Sequence, residues 1–114
     1  MEDQIYIYHA QMCKMLSHPK RLEIINLLRD GELNVTELSL RLRMAPANLS
    51  QHLALMRERK ILIARKEGNV VYYRLANMRF LEAFDILREI LVEQIQRDAS
   101  LVETVPLQAT RQPR

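Results

Sequence analysis

The amino-acid sequence predicts a mainly α-helical domain that carries one β-hairpin, with its elements in the order α-α-α-α-β-β-α. Apolar residues recur at three- and four-residue spacing over most of the chain, as they do on one face of an α-helix. That spacing breaks between residues 61 and 75, where two β-rich runs flank Gly68 and Asn69, a connection typical of a tight hairpin. With only 2 Gly and 4 Pro, the chain shows little sign of a turn-rich all-β fold.

The first two helices are predicted from apolar spacing and from signals at their ends. Residues 3–16 are predicted to form an amphipathic helix, whose apolar face carries Ile5, Tyr8, Met12 and Leu16. Ser17 is predicted as the N-cap of the second helix, with Pro19 in its first turn, where the missing N–H of proline costs nothing. Gly31 is predicted to stop this helix.

The third and fourth helices are predicted to be short and closely joined. Asn34 with Glu37 three positions later has the arrangement of a capping box, which begins the third helix. Pro46 suits the first turn of a fourth helix over residues 46–59, although Ala45 before it supplies no polar cap. The narrow inner face of this fourth helix carries Leu49, Leu53 and Met56.

The hairpin is followed by a long helix at about residues 78–99. Its apolar stripe is wider than one surface helix needs, and includes Phe80, Leu81, Phe84, Leu87, Leu91 and Ile95. The periodicity ends after Ser100. We therefore expect one folded domain over residues 1–100 and a disordered polar tail over residues 101–114.

Charge is concentrated in one segment of this 114-residue chain. The formal net charge is only +3, yet residues 41–74 carry eight Lys or Arg against two Glu, a balance of +6. Such a segment is suited to meeting a polyanion, although a merely solvated basic surface has the same composition. The single Cys, the acidic start and the absence of a long apolar run predict a cytoplasmic protein that is not associated with a membrane.

Two helices joined by a tight turn and followed by a basic hairpin form a winged helix-turn-helix. The fourth helix is predicted to enter the major groove of double-stranded DNA, where Asn and Gln can pair with adenine. The two arginines of the preceding turn and the hairpin tip are expected near phosphates. The predicted DNA-binding residues are Arg41, Arg43, Ala47, Asn48, Ser50, Gln51, His52, Arg57, Arg65, Lys66 and Asn69.

Residues from about 10 to 95 resemble the ArsR/SmtB family of winged-helix repressors. The most specific segments are Pro19-Lys20-Arg21-Leu22, Leu49-Ser50-Gln51-His52-Leu53 and Gly68-Asn69-Val70-Val71-Tyr72-Tyr73. The resemblance implies a homodimeric transcriptional repressor that binds a pseudo-palindromic, inverted-repeat operator and is released by an effector. It also implies dimerisation through the first and last helices, with Ile5, Tyr8, Met12, Phe84, Leu87, Leu91 and Ile95 at the interface.

The metal sites of the metal-sensing relatives are not predicted here. Asn34 and Thr36 occupy the positions of the family's Cys-x-Cys pair, and neither can supply a thiolate. The second family site maps onto Asn77, Arg79, Ile90 and Glu93, of which Glu93 alone could bind a metal. We therefore predict neither a metal nor a cofactor.

Two alternatives to an effector-released repressor remain open on the sequence. His9 and Cys13 lie four residues apart on one helix face and could form part of a thiol-redox, metal or haem sensor. The simpler interpretation is that Cys13 is a small apolar residue and that His9 lies at the interface or in solvent. A winged helix can also serve as a protein-protein or RNA interaction module. We predict no enzymatic activity, since the sequence has no phosphate-binding glycine loop and no plausible nucleophile and base pair.

Overall fold

A computed structural model describes residues 2–98, so the predicted tail at residues 101–114 lies outside the described residues. The chain divides into two units, residues 1–78 and residues 79–114, each of which is described by itself. The elements of the first unit are α1 (Glu2–Met15), α2 (Pro19–Leu27), β1 (Leu33–Asn34), α3 (Val35–Leu42), α4 (Pro46–Glu58), β2 (Leu62–Glu67) and β3 (Val70–Leu75). The described part of the second unit contains α5 (Arg79–Arg97).

The N-cap of α2 is His18, so the prediction of Ser17 in that role was wrong. His18 has an extended backbone, and its Nδ1 accepts the backbone N–H of Lys20 at 3.1 Å. The Ser17 hydroxyl instead donates to the carbonyl of Lys14 at 2.6 Å, in the last turn of α1. The side chains of Ser17 and His18 can each accept a backbone N–H at a helix start. Ser17 is instead close enough to the last turn of α1 to bond to it.

The helical segment that begins with α2 stops at Gly31, as predicted, but it is followed by a short strand that the sequence did not predict. A short 3₁₀ turn over Leu28–Asp30 extends the helix, and Gly31 then reverses the chain with φ at 134°, a value that favours glycine. The two residues of β1 pair antiparallel with β3, in the register Leu33 with Tyr73 and Asn34 with Tyr72. The sheet therefore has the order β1-β3-β2, one strand more than the predicted hairpin.

The core of the first unit joins α2, α3 and α4 to the sheet. α4 packs against both α3 and β2. The fully buried side chains are Ile24, Ile25, Leu28, Leu38, Leu42, Leu49, Leu53, Met56, Ile61 and Leu62. Since burying one such side chain contributes roughly 1.5–3 kcal/mol, this core fixes which face of α4 points outward.

The second unit is described through α5, which exposes much of its apolar surface. Leu87 is 68% exposed and Leu91 is 45% exposed, whereas Ile95 is buried. The guanidinium of Arg88 lies over the ring of Phe84, with 5.1 Å between the two groups. Within residues 2–98, no helix is both long and apolar enough to cross a membrane.

Candidate nucleic-acid interface

The first helix of the helix-turn-helix pair begins with the predicted capping box. Oδ1 of Asn34 accepts the backbone N–H of Glu37 at 2.8 Å, and Oε1 of Glu37 accepts the backbone N–H of Asn34 at 2.9 Å. Two N–H groups that a helix start leaves without partners are thereby satisfied. The start of α3 is fixed locally, immediately beside β1.

Three hydrogen bonds at the end of α3 hold the turn that leads to α4. Arg43 ends α3 in the left-handed conformation, with φ at 54° and ψ at 49°. Ser39 contacts Met44 twice, because its carbonyl accepts the Met44 N–H at 3.1 Å and its hydroxyl donates to the Met44 carbonyl at 2.5 Å. Nζ of Lys20 donates to the carbonyl of Leu42 at 3.0 Å. Together these bonds stabilise a conformation that non-glycine residues rarely adopt.

The second helix, α4, begins without a side-chain cap, as predicted. Ala45 has the extended backbone of an N-cap, with φ at −63° and ψ at 139°, but its methyl group accepts no hydrogen bond. Its carbonyl does accept the N–H of Leu49 at 3.0 Å, which is the first bond of the helix. Pro46 occupies the first turn.

The two faces of α4 differ sharply in exposure. Leu49, Leu53 and Met56 are all 0% exposed on the inner face. The outer positions Ala47, Asn48, Ser50, Gln51 and Arg57 are all exposed. The helix therefore presents short polar side chains on a rigidly anchored backbone, which is what contact with base edges requires.

His52, also predicted to contact DNA, is half-buried and bound within the protein. Its Nδ1 accepts the Nε–H of Arg21 at 3.1 Å. Its ring lies edge-on to that of His18, with centroids 4.6 Å apart. Burial, followed by the neighbouring His18 and Arg21, lowers the pKa of His52 below its ordinary value of 6.5. These surroundings therefore favour the neutral form of the side chain.

The wing consists of β2 and β3. In it, the predicted DNA contact Arg65 is bound to two carboxylates. Arg65 pairs with Glu32 at 2.9 Å and with Glu67 at 3.1 Å, and its guanidinium lies 4.7 Å from the centre of the Tyr72 ring. Hydrogen bonding to Glu32 and Glu67 raises the pKa of Arg65, and the same bond with Arg65 lowers the pKa of Glu32. Arg65 thus braces the wing against the segment that precedes β1.

The cations of the basic segment are all exposed. Lys66 lies on the wing strand β2 and Asn69 at the hairpin tip, and both are exposed. The exposed Lys and Arg residues of positions 41–74 are Arg41, Arg43, Arg57, Arg59, Lys60, Arg65, Lys66 and Arg74. All eight positive charges of the segment are therefore on the surface.

The predicted sensor pair lies on α1. His9 and Cys13 are both exposed, and Cys13 is a free thiol. Over residues 2–98, no group of three or more His, Cys, Asp or Glu side chains is placed to hold a metal ion. The pair remains a prediction.

Arg21 and Glu32 carry roles that the sequence did not reveal. Arg21 lies in the family-like segment at the start of α2, which was a signal for its importance but not for its partner. Glu32 gave no signal, because its partner Arg65 is 33 positions away along the chain.

Comparison with known proteins shows the family. The arsR family of bacterial regulatory proteins matches residues 18–62 of this chain. The transcriptional activator HlyU of Vibrio cholerae is 34% identical over 85 residues, which span 75% of this chain and 79% of HlyU. The chain belongs to the ArsR family. The predicted family resemblance is thus confirmed, and this ArsR-family protein is a transcriptional regulator rather than an enzyme.

Further relatives of this ArsR-family chain agree on the fold. The biofilm growth-associated repressor of Xylella fastidiosa is 33% identical over 85 residues, 75% of each chain. The solved structure of HlyU from Vibrio cholerae matches with a TM-score of 0.69 at 33% identity, covering 79% of this chain and 97% of that one. A homodimeric winged helix-turn-helix DNA-binding domain from Mycobacterium bovis matches with a TM-score of 0.75 at 25% identity, covering 85% and 90%. The predicted winged helix-turn-helix fold is confirmed.

Proposed function

We propose that this ArsR-family protein is a homodimeric repressor that binds an inverted-repeat operator in double-stranded DNA and is released from it by an effector. The observation that carries the proposal is the outer face of α4. Asn48, Ser50 and Gln51 are exposed there, while the inner face of the same helix is completely buried. A polar outer face argues against a module that docks on an apolar protein surface.

Base reading is assigned to the first two turns of α4. Asn48 and Gln51 lie three positions apart on one helix face, and each can form two hydrogen bonds with an adenine. The methyl group of Ala47 suits contact with a thymine methyl, and the Ser50 hydroxyl suits a base edge or a phosphate. Arg57, two turns further along from Ser50, is assigned to a phosphate.

Phosphate contacts are assigned to the turn and the wing. Arg41 and Arg43 flank the end of α3, and Lys66 and Asn69 are exposed on the hairpin. Arg65 is a weaker candidate, because its guanidinium already pairs with two carboxylates. We expect it to orient the wing, and to contact DNA only with the part of its side chain that stays exposed.

Dimerisation is assigned to α1 and α5. Ile5 and Tyr8 on α1 are 57% and 62% exposed, and Leu87 on α5 is 68% exposed. Apolar faces of this extent are typical of protein interfaces. A homodimer presents two copies of α4 related by two-fold symmetry, and the matching DNA site is an inverted repeat. Met12, Phe84, Leu91 and Ile95 complete the proposed interface.

Repression is proposed over activation because a dimer on an operator physically blocks other proteins from that DNA. The similar proteins include both a transcriptional activator and a repressor. The effector is assigned no binding site here, and His9 with Cys13 is the sequence feature to be tested for that role.

Selection of binding sites from random duplex DNA tests the proposal. We expect enrichment of an inverted repeat, and Gln51→Ala should weaken binding to that repeat by at least fivefold, since a bidentate base contact is worth about 1–3 kcal/mol. Gln96→Ala, the same substitution at an exposed position of α5, is the matched control and should bind normally. Absence of any enriched sequence would overturn the operator proposal.

The effector part is tested by repeating the selection with reduced thiol, with oxidant and with a panel of metal ions. Release of the operator in one condition, abolished by Cys13→Ser, would locate the switch at that thiol. Equal binding in every condition and by the variant would exclude thiol and metal effectors and reduce the His9 and Cys13 pair to surface residues.

A further inference from the structure

Arg21 joins three elements of the winged helix at one point. Its Nη1 donates to the carbonyl of Met15 at 3.0 Å and contacts the Met15 sulfur at 3.4 Å, at the end of α1. Its Nε donates to Nδ1 of His52 at 3.1 Å, on α4. Arg21 itself is half-buried in the first turns of α2. One guanidinium therefore links the end of α1, the start of α2 and the middle of α4.

The chemistry of this link fixes where the His52 proton lies. Arginine carries only hydrogen-bond donors and stays protonated, so the nitrogen that it faces must be an acceptor. A neutral imidazole has one acceptor and one donor nitrogen. With Nδ1 as the acceptor of Arg21, the proton of His52 is on Nε2.

We propose that Arg21 is a positioning residue for DNA recognition, which fixes His52 in the tautomer whose Nε2–H is a donor toward a hydrogen-bond acceptor of the operator. The inference rests on the proposed function, and extends it to a residue outside the helix-turn-helix. The acceptor is a phosphate oxygen or an acceptor atom of a base edge. Without Arg21, the ring can populate both tautomers and can rotate about its side-chain bonds, so part of the binding energy is spent in ordering it.

The surroundings of His52 favour the neutral form on which this arrangement depends. The charged and titratable groups that face it are His18 and Arg21, from the N-cap and first turns of α2. Burial, followed by these two neighbours, disfavours a positive charge on the imidazole. Protonation would place an N–H on Nδ1 against the N–H of Arg21, so the link breaks in acid. Since the pKa of His52 is lowered, this break falls below pH 6.5.

The tautomer is tested first in the protein without DNA, by nitrogen-detected NMR of the histidine rings. We expect His52 to be protonated at Nε2 in the native protein, and Arg21→Ala to yield a mixture of tautomers and a changed titration midpoint. Arg21→Lys keeps the positive charge but lacks the planar fork, and should give an intermediate result. An unchanged tautomer and midpoint in both variants would overturn the proposal, whatever the DNA affinity.

Two substitutions at His52 test the roles of its two ring nitrogens separately. In His52→Asn the amide oxygen stands close to Nδ1 and keeps an acceptor for Arg21, but the outer donor is removed. In His52→Gln the amide N–H₂ stands close to Nε2 and keeps the outer donor. We expect His52→Asn to weaken operator binding about tenfold, and His52→Gln, which keeps the outer donor but loses the acceptor for Arg21, to weaken it less. The reverse order would overturn the assignment of Nε2–H as the group that meets DNA.

Operator variants with single-base changes show whether the acceptor that meets His52 is a phosphate or a base atom. If His52→Asn weakens all of them equally, the acceptor is a phosphate; if it relaxes specificity at one position, the acceptor belongs to that base. Gln51→Ala distinguishes a failure of the role of Arg21 from a failure of the proposed function. Loss of binding in Gln51→Ala, together with native binding in both Arg21 variants, would reject the role of Arg21 and leave the proposed function intact. Native binding in Gln51→Ala would reject the base-reading role of α4 itself.

Discussion

The uncapped start of α4 offers a direct test of how the recognition helix is stabilised. Ala45 already has the extended backbone of an N-cap, and it is exposed. A serine hydroxyl at this position can accept the N–H of Ala47 or Asn48 in the first turn, which the methyl group cannot do. We therefore expect Ala45→Ser to raise the free energy of unfolding without moving the backbone.

The size of the effect follows from measured cap substitutions. Exchanging a polar N-cap for alanine typically costs about 1 kcal/mol, within a range of roughly 0.5–2 kcal/mol, and Ala45→Ser should recover a similar amount. In a domain of this size, about 1 kcal/mol corresponds to a rise in Tm of roughly 4–8 °C. Asn34→Ala is the reciprocal variant, because Asn34 provides the cap of α3 that α4 lacks. It should be destabilised by about 1 kcal/mol or more, since Glu37 also loses its place in the capping box.

Urea unfolding followed by far-UV circular dichroism measures both variants. The protein concentration must be held constant, because the stability of the proposed homodimer would depend on it. A stabilised Ala45→Ser and a destabilised Asn34→Ala would support the reasoning. If Asn34→Ala is destabilised but Ala45→Ser is unchanged, the first turn of α4 already has partners for its N–H groups, and the account of an uncapped recognition helix is refuted.

Two further predictions concern the wing and the dimer. Operator affinity should fall steeply with salt, and Lys66→Ala should reduce the slope of log K against log salt by about 1, because one phosphate is no longer neutralised. A flat salt series, or an unchanged slope in the variant, would contradict the wing assignment. Leu87→Glu should shift the sedimenting mass from dimer to monomer, because it places a charge on the proposed interface. Leu40→Glu, at a 75% exposed position of α3, is the control that should remain dimeric; equal masses for both variants would contradict the interface.

Short-range signals in the sequence were sufficient for most of the elements. The capping box of α3 and the Gly68-Asn69 connection each depend on residues at most three positions apart, and both are present in the structure. The helix starting at Pro46 was predicted for the same reason. The strand β1 was missed because a two-residue strand is too short to show an alternating pattern, and its existence depends on pairing with β3.

The outer face of α4 could also be predicted, because helical periodicity alone separates Asn48 and Gln51 from the apolar positions of that helix. What the periodicity could not predict is which of the polar residues the protein itself engages. His52 and Arg65 were both predicted to contact DNA, and each also has a partner within the protein. His52 accepts a hydrogen bond from Arg21, and Arg65 pairs with Glu32. No signal in the residue types distinguishes a charge directed at DNA from one that braces the fold.

The sequence by itself determined the family, the order of the helices, the position of the hairpin and the concentration of positive charge in residues 41–74. The family depends on three short segments in the right order, and the other features depend on composition or on neighbours within one helical turn. Only the tertiary structure decided that Arg21 contacts His52, 31 positions away, and that Glu32 contacts Arg65, 33 positions away. Such pairs form because the packing of α2 and α4 against α3 and the pairing of β1 with β3 bring distant segments together. That packing is a property of the whole buried core rather than of any local pattern.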